Sequence, residues 1–392
     1  MKYLLMTGPL YPQPGNNANL TGKLIPHLLS AGHEVLLFSA AFGENTIRLP
    51  QECFGVPVHW AADQNRDWKR KLIFPAVSKV TDPNGFSDAL GVQILTRELQ
   101  ELHRKYPFEA VISTSEPFPM ACTASLLSGV RKLLYVMDPP ASVSKGAVTI
   151  FRNRVLPTVL KHQDAIVTTP FILDALRKHK LPLPEKTEAL GFPMIGATRA
   201  VRKKPANGKI HLLFCGWLYS DIRSPRYFLD IVSRLDERFE VTFMGRECER
   251  LQERFPVETN ATLVTLPNQP YEVALQAMAD ADVLINIGNS VPVHMPSKTL
   301  EYINTGKPMV NFYKFDDCPT LYYTKRYPLA LNILEGADLD SAAVQFTRFC
   351  EENVGKTVDR EFIEAEYADC TPNYIAERIC RLLSNESGFD KI

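Results

Sequence analysis

The sequence predicts an α/β protein of two Rossmann-like, doubly wound domains in series, and three observations carry that reading. Short apolar runs alternate with segments of helical spacing through the first half of the chain. A basic stretch poor in apolar residues, GATRAVRKKPANGK, interrupts them near residue 200, and the same alternation then restarts. At roughly 150 residues per domain, 392 residues leave room for two or three cores.

The elements follow in order. KYLLMTG is an apolar run ending at a turn, and the Pro/Gly/Asn-rich PLYPQPGNNAN comes after it. LTGKLIPHLLSAG reads as one helix with Leu20, Leu24, Leu28 and Leu29 on a single face and Gly32 as C-cap; HEVLLFSA is the next strand. Further strands fall at FEAVIST, KLLYVMD and DAIVTTP, and FSDALGVQILTRELQELHRKY is helical. Beyond residue 200 the order is strand IHLLFCG, helix RYFLDIVSRLDERF, strands EVTFMG and ATLVTL, helix PYEVALQAMADA and strand ADVLINI. A short helix in MPSKTLEYINTGKP then leads to strand PMVNFY, with Pro296 at its start and Gly306 at its close. TPNYIAERICRLLS places Ile375, Ile379, Leu382 and Leu383 at helical spacing.

Bulk composition narrows the function. A net charge of +0 gives no support for nucleic-acid binding. The eight cysteines are scattered, without metal-ligand spacing, and read as buried thiols of a reducing compartment. The N-terminal apolar run breaks at Gly8-Pro9, too early for a signal peptide, and no stretch approaches the roughly 18 apolar residues of a membrane span. The expectation is a cytoplasmic protein able to touch the inner face of a membrane. The run NRDWKRKLIFPAVSK, at 65–79, mixes Arg66, Lys69, Arg70 and Lys71 with Trp68 and Phe74, which suits an anionic lipid surface, although a solvated basic helix or loop is the commoner source of such a composition.

In open parallel sheets, ligands bind beyond the carboxyl ends of the strands, and two such domains would place a cleft between those ends. Gly15, Asn16 and Asn17 follow the first strand, where backbone can approach a ligand; the stretch does not match G-x-G-x-x-G. Glu116 in TSEPFP and Asp138 in MDPP follow strands and are positioned to act as a base, to hold sugar hydroxyls, or simply to cap helices and turns. Arg223, after IHLLFCG, is suited to clamp phosphate oxygens. Ser297 and Lys298 stand at a helix start that favours an anion, with Glu301 one turn on, where a carboxylate can take vicinal hydroxyls; read alone, Lys298 and Glu301 also fit a solvated helix face. The D-x-D matches Asp280–Asp282 and Asp338–Asp340 read as structural, and His294, close to Ser297, is the histidine of interest.

These residues together resemble a family. AGHEVLLFS, ISTSEPFPMACTASLL followed by VMDPP, FCGWLYSDIRSPRYFLD and the P-S-K-x-x-E-Y-x-x-x-G-K-P stretch resemble, in order, GT-B glycosyltransferases of the bacterial, mostly retaining family four. The resemblance implies an acceptor-binding domain at 1–198, a nucleotide-sugar-binding domain at 199–368, and a C-terminal helix at 369–392 returning to the first domain. It implies a metal-independent transferase that uses no cofactor and takes a nucleotide-diphosphate sugar as donor. Its acceptor would be a glycan or lipid-linked molecule of cell-envelope or exopolysaccharide synthesis. The family's diphosphate-binding role falls to Arg223, Ser297 and Lys298, and its ribose-binding role to Glu301. Gly15, Asn16, Gly216, Trp217, Asn289 and Thr299 complete the donor contacts, and Asp138 or Glu116 would be the base if the reaction inverts. Trp217 stands where many relatives have Arg, and Val293 where many have a second glutamate, so that Asn289 or Ser290 would contact the sugar instead. The alternatives are a non-hydrolysing sugar-nucleotide epimerase and a non-catalytic nucleotide-sugar-binding protein of the same fold.

Overall fold

Strands covered by helices on both faces bury both sets of side chains, so they read as continuous apolar runs instead of alternating ones. VIST-type and AIVT-type segments in this chain are buried at every position. The computed structural model describes residues 1–8, 10, 15–39, 50–61, 89–138, 147–196, 208–218 and 222–384, with 89–91 and 147–153 described by their backbone. The chain divides into two units, Met1–Pro193 with Asp369–Ile392, and Met194–Ala368.

The first unit contains β1 (Lys2–Met6), α1 (Asn16–Gly22), α2 (Ile25–Ser30), β2 (Glu34–Ser39), β3 (Glu52–Cys53), β4 (Val56–Trp60), α3 (Ala89–Lys105), β5 (Ala110–Thr114), α4 (Phe118–Leu126), β6 (Arg131–Val136), α5 (Ala147–Lys161), β7 (Ala165–Thr168), α6 (Pro170–Lys178) and β8 (Lys186–Ala189). Its eight-stranded sheet runs β3-β4-β2-β1-β5-β6-β7-β8. All pairings are parallel except β3 with β4. The strand order reverses direction between β1 and β5, which makes the loops after those two strands the ligand-facing ones. α3 buries Leu95, Leu99 and Leu102, one face of a helix, against Leu4, Met6 and Val111 of the sheet.

The predicted helix over LTGKLIPHLLSAG is two helices. It starts earlier, at Asn16, and breaks at Lys23–Leu24. Pro26 has no N–H for the carbonyl of Gly22, and its ring crowds the preceding turn, so the helix restarts with Pro26 in its first turn. Leu20, Leu24 and Leu28 face the core, but Leu29 is 41% exposed. Six of the eight cysteines are buried; Cys53 and Cys380 are partly exposed.

The second unit contains β9 (Ile210–Cys215), α7 (Arg226–Val232), β10 (Phe239–Met244), α8 (Leu251–Arg254), β11 (Thr262–Leu266), α9 (Tyr271–Asp280), β12 (Val283–Ile287), α10 (Lys298–Thr305), β13 (Met309–Tyr313), α11 (Pro319–Thr324), β14 (Ala330–Leu334), α12 (Leu339–Asn353) and α13 (Arg360–Glu366). α7 is shorter than the spacing of RYFLDIVSRLDERF suggests, because Ser233 turns its hydroxyl back to the Asp230 carbonyl and the chain tightens there. The six strands run β11-β10-β9-β12-β13-β14, all parallel, the order of a dinucleotide-binding sheet with its reversal between β9 and β12.

One core cluster fills this unit. Phe228 of α7 is buried between Phe312 (ring centroids 5.2 Å apart), Phe243 (5.7 Å) and Phe346 (5.8 Å). Phe228→Ala should therefore lower stability by about 3–5 kcal/mol, read from the urea midpoint. A loss of less than about 1 kcal/mol would show that the cluster repacks.

The strands β12 and β13 are apolar runs that each carry one buried asparagine. Asn286, Asn311 and Asn332 lie opposite one another in register across β12, β13 and β14. Asn286 Nδ2 donates to Asn311 Oδ1 (2.7 Å), and Asn311 Nδ2 to Asn332 Oδ1 (2.8 Å). Thr299 of α10 and Thr324 of α11 add hydroxyl donors to the ends of this row. The buried amides of Asn286 and Asn311 each donate and accept, as burial demands.

The last helix, α14 (Pro372–Leu383), belongs to the first unit. Thr371 caps it by accepting from the Tyr374 N–H, and Pro372 opens it. Ile375, Ile379, Leu382 and Leu383 are buried. Lys186 Nζ donates to the carbonyls of Leu382 (3.0 Å) and Ser384 (3.2 Å), placing a cation on the negative end of the helix.

Candidate functional site

The reversal between β9 and β12 brings two loops to the carboxyl end of the second sheet. The loop after β9 starts at Gly216, whose N–H donates to the Met244 carbonyl (2.9 Å). The loop after β12 starts at Gly288, where a Cβ would lie 2.9 Å from the Phe312 carbonyl oxygen, so only glycine fits without displacing backbone.

Arg223 joins the two loops. It is 7% exposed; its Nε donates to Asn289 Oδ1 (3.0 Å) and its Nη1 to the Trp217 carbonyl (3.1 Å). Nη1 also lies beside Gly216, 3.6 Å from where a Cβ would stand. Asn289, itself buried, turns its Nδ2 to the His294 carbonyl (2.9 Å) and to His294 Nδ1 (2.6 Å). With the amide as donor, Nδ1 is an acceptor and the neutral ring carries its proton on Nε2. Ser290 N–H donates to the Ile222 carbonyl (2.7 Å), a second tie between the loops. Val293 sits in the left-handed region at φ +63°, an unfavourable conformation for a β-branched residue that this web of bonds holds in place.

α10 follows. Its N-cap, Ser297, is itself helical and its hydroxyl does not cap the helix. Lys298 and Glu301 form an ion pair at side-chain exposures of 25% and 12%. Burial pulls the Lys298 ammonium down, but the Glu301 carboxylate, with Cys215 and Tyr271, more than offsets it, so the lysine stays above its ordinary value and charged. The Tyr271 hydroxyl at the start of α9 lies against the same carboxylate; burial and that charge raise its pKa. Tyr302 anchors the helix to β9, its hydroxyl accepting from Cys215 N–H (2.8 Å) and donating to the Cys215 carbonyl (3.1 Å). Thr299 is fully buried and turned to Asn286, so its side chain belongs to the interior and not to a ligand surface.

The structure thus brings Gly216, Trp217, Arg223 and Asn289 into direct contact, and gathers Ser297, Lys298 and Glu301 on the first turn of α10. The 65–79 run lies outside the described residues. The D-x-D residues are engaged elsewhere: Asp280 accepts from Gln276, Asp282 from the His211 N–H, Asp338 caps α12, and Asp340 pairs with Arg234.

The first unit has its own cluster at its reversal point. Gly15 is the N-cap of α1 and Asn16 its exposed first residue. The side chain that reaches inward is the next one: Asn17 Nδ2 approaches Asp138 Oδ2 (3.4 Å) and the Glu116 carbonyl (3.5 Å). Glu116 Oε2 accepts from the Phe118 N–H at the start of α4 (3.2 Å), so this carboxylate acts as a helix cap. Asp138, in contrast, sets its carboxylate against the Asn17 side chain. The sequence reading gave Asn17, like Gly15 and Asn16, a backbone role only; the helical phase of α1 is what turns its side chain inward.

No protein-family model matches the chain, and no curated protein matches its sequence. Solved structures do. A glycosyltransferase from Rickettsia africae ESF-5 aligns over 98% of this chain and 100% of its own, with TM-score 0.65 and 13% identity. WaaG, a glycosyltransferase involved in lipopolysaccharide biosynthesis, aligns over 98% and 100% with TM-score 0.62 and 14% identity. Sucrose-phosphate synthase from Thermosynechococcus elongatus aligns over 98% and 96% with TM-score 0.63 and 13% identity. These neighbours are GT-B glycosyltransferases, and this chain is an α/β protein of the same fold. Among the described residues, no helix is long and apolar enough to cross a membrane.

Proposed function

We propose that the protein is a metal-independent glycosyltransferase that moves a sugar from a nucleoside-diphosphate sugar to a glycan or lipid-linked acceptor. The observation that carries this reading is the Lys298–Glu301 pair on the first turn of α10, at the carboxyl end of a sheet with the dinucleotide-binding strand order. The likeness in fold to WaaG, whose description places it in lipopolysaccharide biosynthesis, supports a role in envelope or extracellular polysaccharide synthesis.

In this reading an acceptor hydroxyl oxygen attacks the anomeric carbon as the bond from that carbon to the diphosphate oxygen breaks. Lys298 and the first N–H groups of α10 stabilise the departing charge. Glu301 accepts the ribose hydroxyls, and Arg223 keeps the two loops in place. The acceptor's proton ends on the leaving phosphate oxygen.

The test is a donor screen by mass spectrometry, with UDP-, GDP- and ADP-sugars incubated with and without acceptor glycans. Release of the nucleoside diphosphate with transfer or hydrolysis of the sugar is the expected result. Conversion of UDP-GlcNAc to an epimer without acceptor would replace the reading by epimerisation. Binding without any turnover would leave a nucleotide-sugar-binding protein.

A further inference from the structure

We propose that Arg246, seated over the indole of Trp217, is a second side chain, besides Lys298, that engages the diphosphate of the donor; this rests on the donor-binding reading above and adds a contact to it. The two residues leave neighbouring parallel strands at their carboxyl ends, Trp217 after β9 and Arg246 after β10. Their backbones are pressed together. Gly245 has φ +138°, and a Cβ there would lie 1.9 Å from the Gly216 carbonyl oxygen. The Leu218 N–H donates to the Arg246 carbonyl (3.1 Å), which continues the pairing past the strand ends. That register stands the Arg246 guanidinium 4.0 Å above the centroid of the Trp217 ring.

Arg246 differs in its partners from Lys298 and Arg223, the two cations described above. Lys298 is neutralised by Glu301 until a ligand competes for it. Arg223 is buried, with Nε and Nη1 committed to Asn289 and Trp217. Arg246 is exposed and has no carboxylate partner among the described residues; the adjacent Glu247 pairs with Arg254 (3.3 Å) and Arg250 (3.8 Å). A guanidinium on an aromatic face keeps its in-plane N–H groups directed outward, in the fork that matches two phosphate oxygens. The indole also holds the long side chain in one place before the ligand arrives, which reduces the ordering cost of binding. Trp217 is therefore a positioning residue that acts through Arg246.

Calorimetric titration of the full chain with inorganic pyrophosphate, with UDP, GDP and ADP, and with the matching nucleosides tests this. Arg246→Gln should weaken the nucleoside diphosphate and pyrophosphate about ten- to a hundredfold and leave nucleoside binding unchanged. Trp217→Ala should cost part of the same loss and add nothing in the Arg246→Gln background. Wild-type affinity for the diphosphates in Arg246→Gln, equal losses for nucleoside and diphosphate, or additive losses in the double variant would each overturn the proposal. A wild-type protein that binds none of these probes overturns the donor-binding reading itself, and with it this inference.

Discussion

Lys298→Met should reduce kcat/KM for the donor about 10²- to 10³-fold, the usual cost of removing one preorganised group from a developing negative charge. The ammonium is held charged by Glu301 beside it. When a diphosphate arrives, the lysine can share its protons between carboxylate and phosphate without leaving its place. The variant loses that cation and leaves Glu301, only 12% exposed, without its partner. Far-ultraviolet circular dichroism and the melting transition should show a folded protein, because Tyr302 and Thr299 still anchor α10 from below. Glu301→Gln gives the complementary result: weaker binding of ribonucleoside donors and little change for the 2′-deoxy forms, which lack one of the hydroxyls. Full turnover by a folded Lys298→Met protein would remove α10 from the mechanism.

Gly245→Ala should destabilise the protein by about 3–5 kcal/mol, combining left-handed backbone strain with a backbone collision. Gly336→Ala is the matched control. Gly336 also has a positive φ, +93°, but nothing lies within 4 Å of its would-be Cβ. It should cost only about 1 kcal/mol, because strain acts there alone. Urea midpoints of the two variants separate the terms. Equal midpoints would mean that the Gly216–Gly245 contact relaxes freely, and the Trp217–Arg246 geometry would then lose its structural basis.

Much of this architecture is legible in the sequence, and the reasons are local. Runs such as VLINI and MVNFY announce strands because both of their faces are buried. Ile375, Ile379, Leu382 and Leu383 announce α14 because one helical face repeats every three to four residues. Lys298 and Glu301 are legible because a helix start between two strands is a recognisable position. What is not legible depends on pairing between distant strands. Leu29 matches the apolar spacing of its neighbours, yet Pro26 resets the helical phase and turns it outward. Glu116 and Asp138 look equivalent in sequence, and only the fold shows that one caps α4 while the other faces Asn17. Thr299 reads as part of the same exposed helix start as Lys298, but the helix points it inward. Arg246 follows an ordinary strand and glycine. Its relation to Trp217 exists only because β9 and β10 are adjacent.

The asparagine row across β12, β13 and β14 carries a consequence for how this sequence can drift. Asn311 both gives and receives within the row, so exchanging it alone for leucine takes the acceptor from Asn286 Nδ2 and one of two donors from Asn332 Oδ1. A sheet slipped by one residue would set these amides against aliphatic side chains, so the row also selects a single alignment of the three strands. The positions therefore form one heritable unit: lineages that lose the row should lose it whole, and chimeras that splice these strands from different parents should fold only when the row arrives intact.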